Sequence, residues 1–343
     1  MGRISPMVRR GLGRTQIQKD YLTSCLTSAS GADWLSYEEA DRFISYIKDQ
    51  SVLTKMATVV KMTKDRKRIR ELDFGSGFMA AGGCGECVDT LDIEHSDRWL
   101  QVEDAKGVAC ICDDFIEDNL EGEDFVDHLM QEIAKQIANE TEMWALMADT
   151  GGSYIPAWIR ASFMTLVDGW YQDALANGHV LDAIGHAEGR CITTCKMKEM
   201  IQAMPSKYKQ NRRNLVFVMA DNLAEDYQFY LQGTPGGADR AYMYVEGLMD
   251  LTYGSIPIVR VPLLPTDMGV CYSGSVSPAD GTFMMLTTKE NFMLAIHRDI
   301  KYERERRGCE QQTLHIFSMR MDAKFANPDA VVVYDCLHVC PCT

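Results

Sequence analysis

The sequence predicts an α+β fold, on three observations. Residues 123–148 carry the i, i+3, i+4, i+7 apolar spacing of a long amphipathic helix. Residues 59–112 place charged and β-branched runs on both sides of a glycine-rich centre, the pattern of a long two-stranded hairpin. Residues 292–302 and 314–325 are two further long strands around a charged turn. At 343 residues, 46% hydrophobic and 24% charged, the chain has material for one large core or two modest ones. No apolar run approaches the roughly 18–20 residues that cross a bilayer.

Taken in order, residues 1–58 read as an extended arm that ends in a short helix. Arg3, Arg9, Arg10, Arg14 and Lys19 make the start basic, and no apolar stretch follows, so the middle region of a signal peptide is missing. Ser36 and Glu39 form a capping box, after which Ala40, Phe43, Ile44 and Ile47 share a face. In the hairpin at 59–112, Gly75, Gly77, Gly82, Gly83 and Gly85 mark a loose tip, and large apolar residues are few. A lone hairpin is marginal in water, so this one is expected to need another surface, a neighbouring copy of the chain. The helix at 123–148 follows, with Val126, Leu129, Met130, Ile133, Ile137 and Trp144 on its stripe and Glu121, Glu123 and Asp124 at its positive end. Gly151 and Gly152 stop it.

Residues 153–283 mix short elements: helices at 164–175 and 194–203, a buried strand at 215–219, a helix from Asp221 closed by Gly233, and a strand at 256–261 bounded by Pro262. Between the two long final strands lie Glu303, Arg304, Glu305, Arg306, Arg307 and Gly308, a tip with both signs of charge. Such a pair can project, although a solvated turn gives the same pattern.

A net charge of −14 argues against coating nucleic acid through the whole surface. Arg66, Arg68 and Arg70, with Lys61, Lys64 and Lys67, form a basic cluster without interleaved aromatics, which favours protein contacts or solvent over nucleic acid. No Gly-x-Ser-x-Gly elbow, Walker loop, dinucleotide fingerprint or His-Glu-x-x-His is present. The expectation is a protein that is not an enzyme, with no catalytic residue, cofactor or metal. His179, His186, Cys191 and Cys195 could in principle bind a metal, and ordinary loop roles fit them better.

Twelve cysteines are the chemical anomaly. Cys84 and Cys87 lie at the hairpin tip, Cys110 and Cys112 at its base, and Cys336, Cys340 and Cys342 crowd the C-terminal tail, 336–343. Three readings stand: reduced thiols, disulfides between neighbouring copies joining Cys84 or Cys87 to Cys340 or Cys342, or a zinc site.

Several strings, in order, resemble the tailed-phage major capsid proteins, the Hong Kong-type fold. They are Ile116-Glu117-Asp118-Asn119-Leu120-Glu121-Gly122, Asp168-Gly169-Trp170, Ala203-Met204-Pro205-Ser206-Lys207-Tyr208 with Leu215-Val216-Phe217-Val218-Met219, Gly254-Ser255-Ile256-Pro257-Ile258, and Phe325-Ala326-Asn327-Pro328-Asp329-Ala330-Val331. The resemblance implies a tailed-phage capsid fold with an N-terminal arm (1–58), a long β-hairpin extended loop over the adjacent subunit (59–112), a peripheral domain with a spine helix and long β-strands (113–152 and 284–335), and an axial domain (153–283). It implies self-assembly into pentamers and hexamers of an icosahedral shell enclosing double-stranded DNA without sequence-specific binding. Portal and separate scaffolding proteins are implied partners, with a decoration protein as a further one, no membrane, assembly in the host cytoplasm and residence in the virion. Inter-subunit contacts fall to Arg66, Arg68, Arg70, Glu303, Arg304, Glu305, Arg306 and Arg307. The lysine–asparagine–glutamate crosslink of some members has no counterpart that can be placed here, and the cysteines are the candidate substitute. The alternatives are an encapsulin-like nanocompartment shell of the same fold and, from another class, a cysteine-dependent redox or zinc protein.

Overall fold

A computed structural model describes residues 52–73, 94–112, 124–184, 186, 189–232, 242–245, 248–270 and 276–340. The arm and helix expected within 1–51, the tip with Cys84 and Cys87, and Cys342 lie outside the described residues. In chain order the elements are α1 (Leu53–Met56), β1 (Thr58–Lys61), β2 (Arg66–Asp73), β3 (Glu94–Gln101), β4 (Glu103–Cys112), α2 (Asp124–Met147), α3 (Ala161–Met164), α4 (Trp170–Asn177) and β5 (His179–Asp182). They continue with α5 (Thr194–Ala203), β6 (Leu215–Ala220), α6 (Asp221–Gln232), β7 (Tyr242–Val245), β8 (Leu248–Tyr253), β9 (Ile256–Val261), β10 (Met268–Val270), β11 (Val276–Thr288), β12 (Phe292–Arg307), β13 (Gln312–Phe325) and β14 (Val331–His338). The chain divides into two compact units; the described parts of one are 104–112, 124–137 and 299–319, and the other takes the rest.

The larger unit is built on an eight-stranded sheet with the path β5-β14-β11-β6-β9-β8-β7, β10 adding to β11. Its middle strands read as unbroken apolar runs because both faces are covered. Every residue of β6 is buried, as are Gly281–Thr287 by number 281–287 in β11 and 331–337 in β14. Helices α4 and α5 pack on β14, and α6 packs on β6 and β9. Tyr171 of α4 stacks on Phe283 with ring centroids 4.1 Å apart and donates to Asp335 at 2.8 Å. In β14, Asp335 and Cys336 together face Phe283 between the Tyr334–Met284 and Leu337–Thr282 pairs, a bulge that gives Cys336 its positive φ of 59°. Strands β8 and β9 join through Gly254 and Ser255, both at positive φ (57° and 69°), as a tight two-residue turn requires.

The helix expected at 123–148 is α2, about 36 Å long at 1.5 Å per residue. From Thr141 to its end it is buried on every side. The single helix expected at 164–175 is two, α3 and α4, broken at Asp168-Gly169. A Cβ on Gly169 would meet the Ala145 carbonyl oxygen at 2.7 Å, so only glycine lets the chain pass the end of α2 there. Trp170 then enters the core fully buried, edge-on to Phe292 at 4.9 Å, its indole N–H donating to the Met293 carbonyl at 3.2 Å. Asn291 and Asn327 interlock: Asn291 Nδ2 donates to the Asn327 carbonyl at 2.8 Å, and the Asn327 N–H donates to Asn291 Oδ1 at 2.7 Å.

A four-stranded sheet has the order β1-β12-β13-β4, with β1 parallel to β12 from Thr58 opposite Met293 to Lys61 opposite Ile296. Two expected boundaries change here. The hairpin of 59–112 is narrower: only β2 and β3 form a two-stranded ribbon, from Arg66 opposite Gln101 to Asp73 opposite Glu94, while β1 and β4 belong to the four-stranded sheet. The segment 284–335 is also divided, because the ends of it, in β11 and β14, pair with each other in the eight-stranded sheet. Hydrophobic pattern finds strands; it does not say which strand is the neighbour. The charged turn is shorter than expected, since β12 runs on through Arg307 and the turn is 308–311.

Candidate functional site

The β2–β3 ribbon has two unlike faces, as strand alternation dictates. Lys67, Ile69, Arg98 and Leu100 share one face; Arg66, Arg68, Arg70, Asp97, Trp99 and Gln101 share the other. On the inward face Leu100 is fully buried with Met62, Val102 and Ala295, and Val60 and Ile69 pack against that cluster. The root of the ribbon is therefore sheltered by its own chain, which corrects the expectation that a neighbouring copy must cover the whole of 59–112.

Arg98 makes the strongest tie. One guanidinium nitrogen donates to the Phe325 carbonyl at 2.9 Å and the other pairs with the Asp173 carboxylate on α4. Asp173 is itself 3% exposed and takes two further N–H groups, from Phe325 at 2.9 Å and from the Asn177 side chain at 3.0 Å. A buried carboxylate with this many donors is compensated, not stranded. Nearby, the Gln101 N–H donates to Asp322 Oδ2 at 2.8 Å; burial pushes the Asp322 carboxyl up, against that hydrogen bond, which pulls it down. Asp65, on the turn into the ribbon, receives Arg320 at 2.9 Å and lies 3.7 Å from His297. Glu142 of α2 accepts the N–H groups of Val52 (2.9 Å) and Leu53 (3.1 Å), closing the start of α1.

The outward face is where the predicted contact residues lie. Arg66, Arg68 and Arg70 are all exposed. Arg68 pairs with Asp97 and stands 6.0 Å over the ring of Trp99, which is 57% exposed. The outward face thus sets an exposed indole beside three exposed arginines. Arg98, Asp173 and Trp99 were missed by sequence reading. The signal was present in the alternation, because an arginine in phase with Ile69 and Leu100 must find a buried acid.

Glu303, Arg304, Glu305, Arg306 and Arg307 lie in the other unit, at the end of β12. Glu303 pairs with Lys301; Arg307 lies 3.6 Å from Glu305 and 3.4 Å from Glu310. Residues 304–311 are exposed at the tip, where each ion pair is worth about 0–1 kcal/mol. Below it, His315 is buried, and its Nδ1 lies 2.6 Å from the Tyr302 hydroxyl. Burial, then the charge of Arg304, hold its pKa below the usual 6.5. An unfolded chain thus binds a proton there before the folded one does, so stability present at neutral pH falls as pH drops below about 6.5. Melting curves between pH 7.5 and 5 are expected to show that loss in the wild type and a smaller one in His315→Gln.

The cysteine expectations change at one position. Cys340 is bonded to Cys191 in the same chain, with Cα atoms 5.8 Å apart, so it is not available to a neighbour's hairpin tip. Cys336 is disulfide-bonded as well. The tail is held further by Arg190 Nε donating to the Cys336 carbonyl (2.8 Å) and by the Cys340 N–H donating to Asp226 (2.8 Å). Cys191 thus leaves the metal set, and His186 lies 3.1 Å from Glu199. Among the described residues no three His, Cys, Asp or Glu side chains are grouped to hold a metal, and no helix is long and apolar enough to cross a membrane.

No family model matches the chain, and no curated protein matches it. Solved structures do. The procapsid of satellite phage P4 with its size determination protein is similar over 87% of this chain and 99% of that one, at 14% identity and a TM-score of 0.58. The mature capsid of bacteriophage PhiM1 covers 83% and 86%, at 10% identity and a TM-score of 0.54. This chain has the tailed-phage capsid fold. The same fold also aligns with the holo-SrpI encapsulin complex of Synechococcus elongatus, over 94% of this chain and 97% of that one, at 10% identity and a TM-score of 0.57. Within this fold, the ribbon β2–β3 and the β12–β13 tip hold the residues named from sequence as contact candidates, and Arg66, Arg68, Arg70 and residues 304–307 are exposed there.

Proposed function

We propose that this chain is a major capsid protein that self-assembles into pentamers and hexamers of an icosahedral shell around double-stranded phage DNA, and that it is not an enzyme. The observation that carries this reading is the near full-length likeness, in both directions, to chains taken from assembled phage shells. The ribbon supports it: the inward face is latched to the body, while the outward face offers Arg66, Arg68, Arg70 and Trp99 to another molecule. In this reading that molecule is the adjacent copy, and the Glu303 to Arg307 tip meets a further one. Obligate interfaces of this kind bury roughly 2,000–5,000 Å², and the contacts must close on a symmetric object. A portal, a scaffolding protein and a decoration protein are the expected partners, and the shell forms in the host cytoplasm and remains in the virion.

Negative-stain microscopy of the purified protein tests this: closed, uniform particles are expected, and a protein that stays monomeric under every assembly condition would overturn it. Reversing Arg66, Arg68 and Arg70 to glutamate is expected to leave the melting temperature nearly unchanged, since exposed pairs contribute about 0–1 kcal/mol each, and to abolish particles. Normal particles from that variant would remove the contact role of this face. The encapsulin likeness keeps a second shell reading in play, and the content of the particles separates the two: DNA for a capsid, protein cargo for a nanocompartment.

A further inference from the structure

Among the described residues Cys110, Cys112, Cys195 and Cys309 form no disulfide, and all four are exposed. Three of them gather at one end of the smaller unit. Cys110 and Cys112 end β4, which pairs with β13 in the four-stranded sheet. The Cys110 thiol donates to Gln312 Oε1 at 3.0 Å, and Gln312 opens β13 directly after the 308–311 turn. Cys309 is in that turn, three residues earlier, so at most about 10 Å of chain separates it from Gln312. The exposed end of the β12–β13 hairpin thus presents three thiols together, none joined to another. Three is an odd number, and a pairing inside one copy would still leave one thiol for a second copy.

We propose that this end is a redox crosslinking site between copies of the chain, joining Cys309 of one copy to the Cys110–Cys112 strand end of another. The inference rests on the shell reading, which brings copies together. The occupant is a second copy because the tip carries both signs of charge, Glu303, Glu305 and Glu310 with Arg304, Arg306 and Arg307, and so complements its own kind. The oxidant is a small-molecule disulfide such as oxidised glutathione. The Cys309 thiolate displaces one glutathione thiolate to give a mixed disulfide; the second copy's thiolate then attacks the Cys309 sulfur and releases the other glutathione. Two protein thiols lose two electrons and two protons, one protein S–S bond forms, and two glutathione thiols leave. Turn residues with no side chain buried on their own body can adjust to the 4.4–6.8 Å Cα separation a disulfide needs.

The test uses full-length protein in particles, treated with oxidised glutathione, quenched with iodoacetamide and run on denaturing gels without reductant. Wild-type chains are expected to run as dimers and higher species that collapse to monomer on reduction, with a peptide containing Cys309 linked to one containing Cys110 or Cys112 by mass spectrometry. C309S and the C110S/C112S double variant are each expected to form particles and to lose those species, while C340S keeps them. Monomer bands from intact wild-type particles, or a ladder that survives C309S or C110S/C112S, would overturn the crosslink and leave the shell reading standing. Failure of the wild type to form particles would overturn the shell reading and the crosslink with it.

Discussion

An Arg98→Ala protein is expected to lose on the order of 3–5 kcal/mol of stability, the cost of breaking a buried ion pair from one side, and to stop forming closed particles. The reason is the geometry of the latch. Arg98 lies in phase with Leu100 on the inward face of the ribbon and bridges two separate parts of the body, the Phe325 carbonyl at 2.9 Å and the Asp173 carboxylate. Removing it leaves Asp173, 3% exposed, without its counter-charge and with only the Phe325 and Asn177 N–H groups. It also frees the inward face of β3. Arg98→Lys is a finer probe, because an ammonium keeps the charge but not the two-pronged fork. It should fall between wild type and alanine in melting temperature. The control is Arg66→Ala on the opposite face, where a change within about 0.5 kcal/mol is expected. Thermal unfolding and particle counts measure both effects. An Arg98→Ala protein that melts and assembles like the wild type would show that the ribbon is held by Leu100 and the backbone alone.

The second large effect is expected from the C-terminal strap. The bond from Cys191 to Cys340 closes a loop with a sequence separation of 149 residues, and the chain-entropy estimate for such a loop is about 5 kcal/mol. Cys191→Ser and Cys340→Ser should each lower the melting temperature by on the order of 10 °C under oxidising conditions. Wild-type protein melted in excess reductant should fall at least as far, because the Cys336 bond is reduced with it, and the variants should not respond to reductant at the Cys191–Cys340 bond. The tail is then held by weaker ties, Arg190 to the Cys336 carbonyl and Asp226 to the Cys340 N–H. Equal melting of wild type with and without reductant would mean that these polar contacts already hold the tail in place.

These two sites also show what a linear reading reaches. The helix at Asp124–Met147 and the strands at Leu215–Ala220 and Ile256–Val261 were legible because each carries its own period or an unbroken apolar run. The break between α3 and α4 was not legible. The expected helix at 164–175 ran straight across Gly169, and the reason for the glycine is a 2.7 Å approach of a would-be Cβ to a carbonyl 24 positions back in the chain. The basic cluster was legible as charge, and alternation along β3 sets Arg98 in phase with Leu100, yet that Arg66, Arg68 and Arg70 take the opposite face needs the register of β2 on β3. Cysteine spacing left reduced thiols, disulfides to a neighbouring copy and a zinc site all open, because the number of ways to pair twelve cysteines is large, and nothing in the spacing points from Cys340 to Cys191.

By itself, then, the sequence determined the long helix at 124–147 and the long strands, the α+β class, the sign and place of the charged clusters and the absence of familiar catalytic motifs. These follow from interactions between residues near one another in the chain, which composition and period record. Tertiary structure alone decided which strands are neighbours, that β1 and β4 leave the hairpin for another sheet, that Arg98 finds Asp173, and that Cys340 finds Cys191. The β1–β12 pairing, the Arg98–Asp173 pair and the Cys191–Cys340 bond join residues 75 to 235 positions apart, and at such separations many pairings are open to the same pattern until one packed core selects among them.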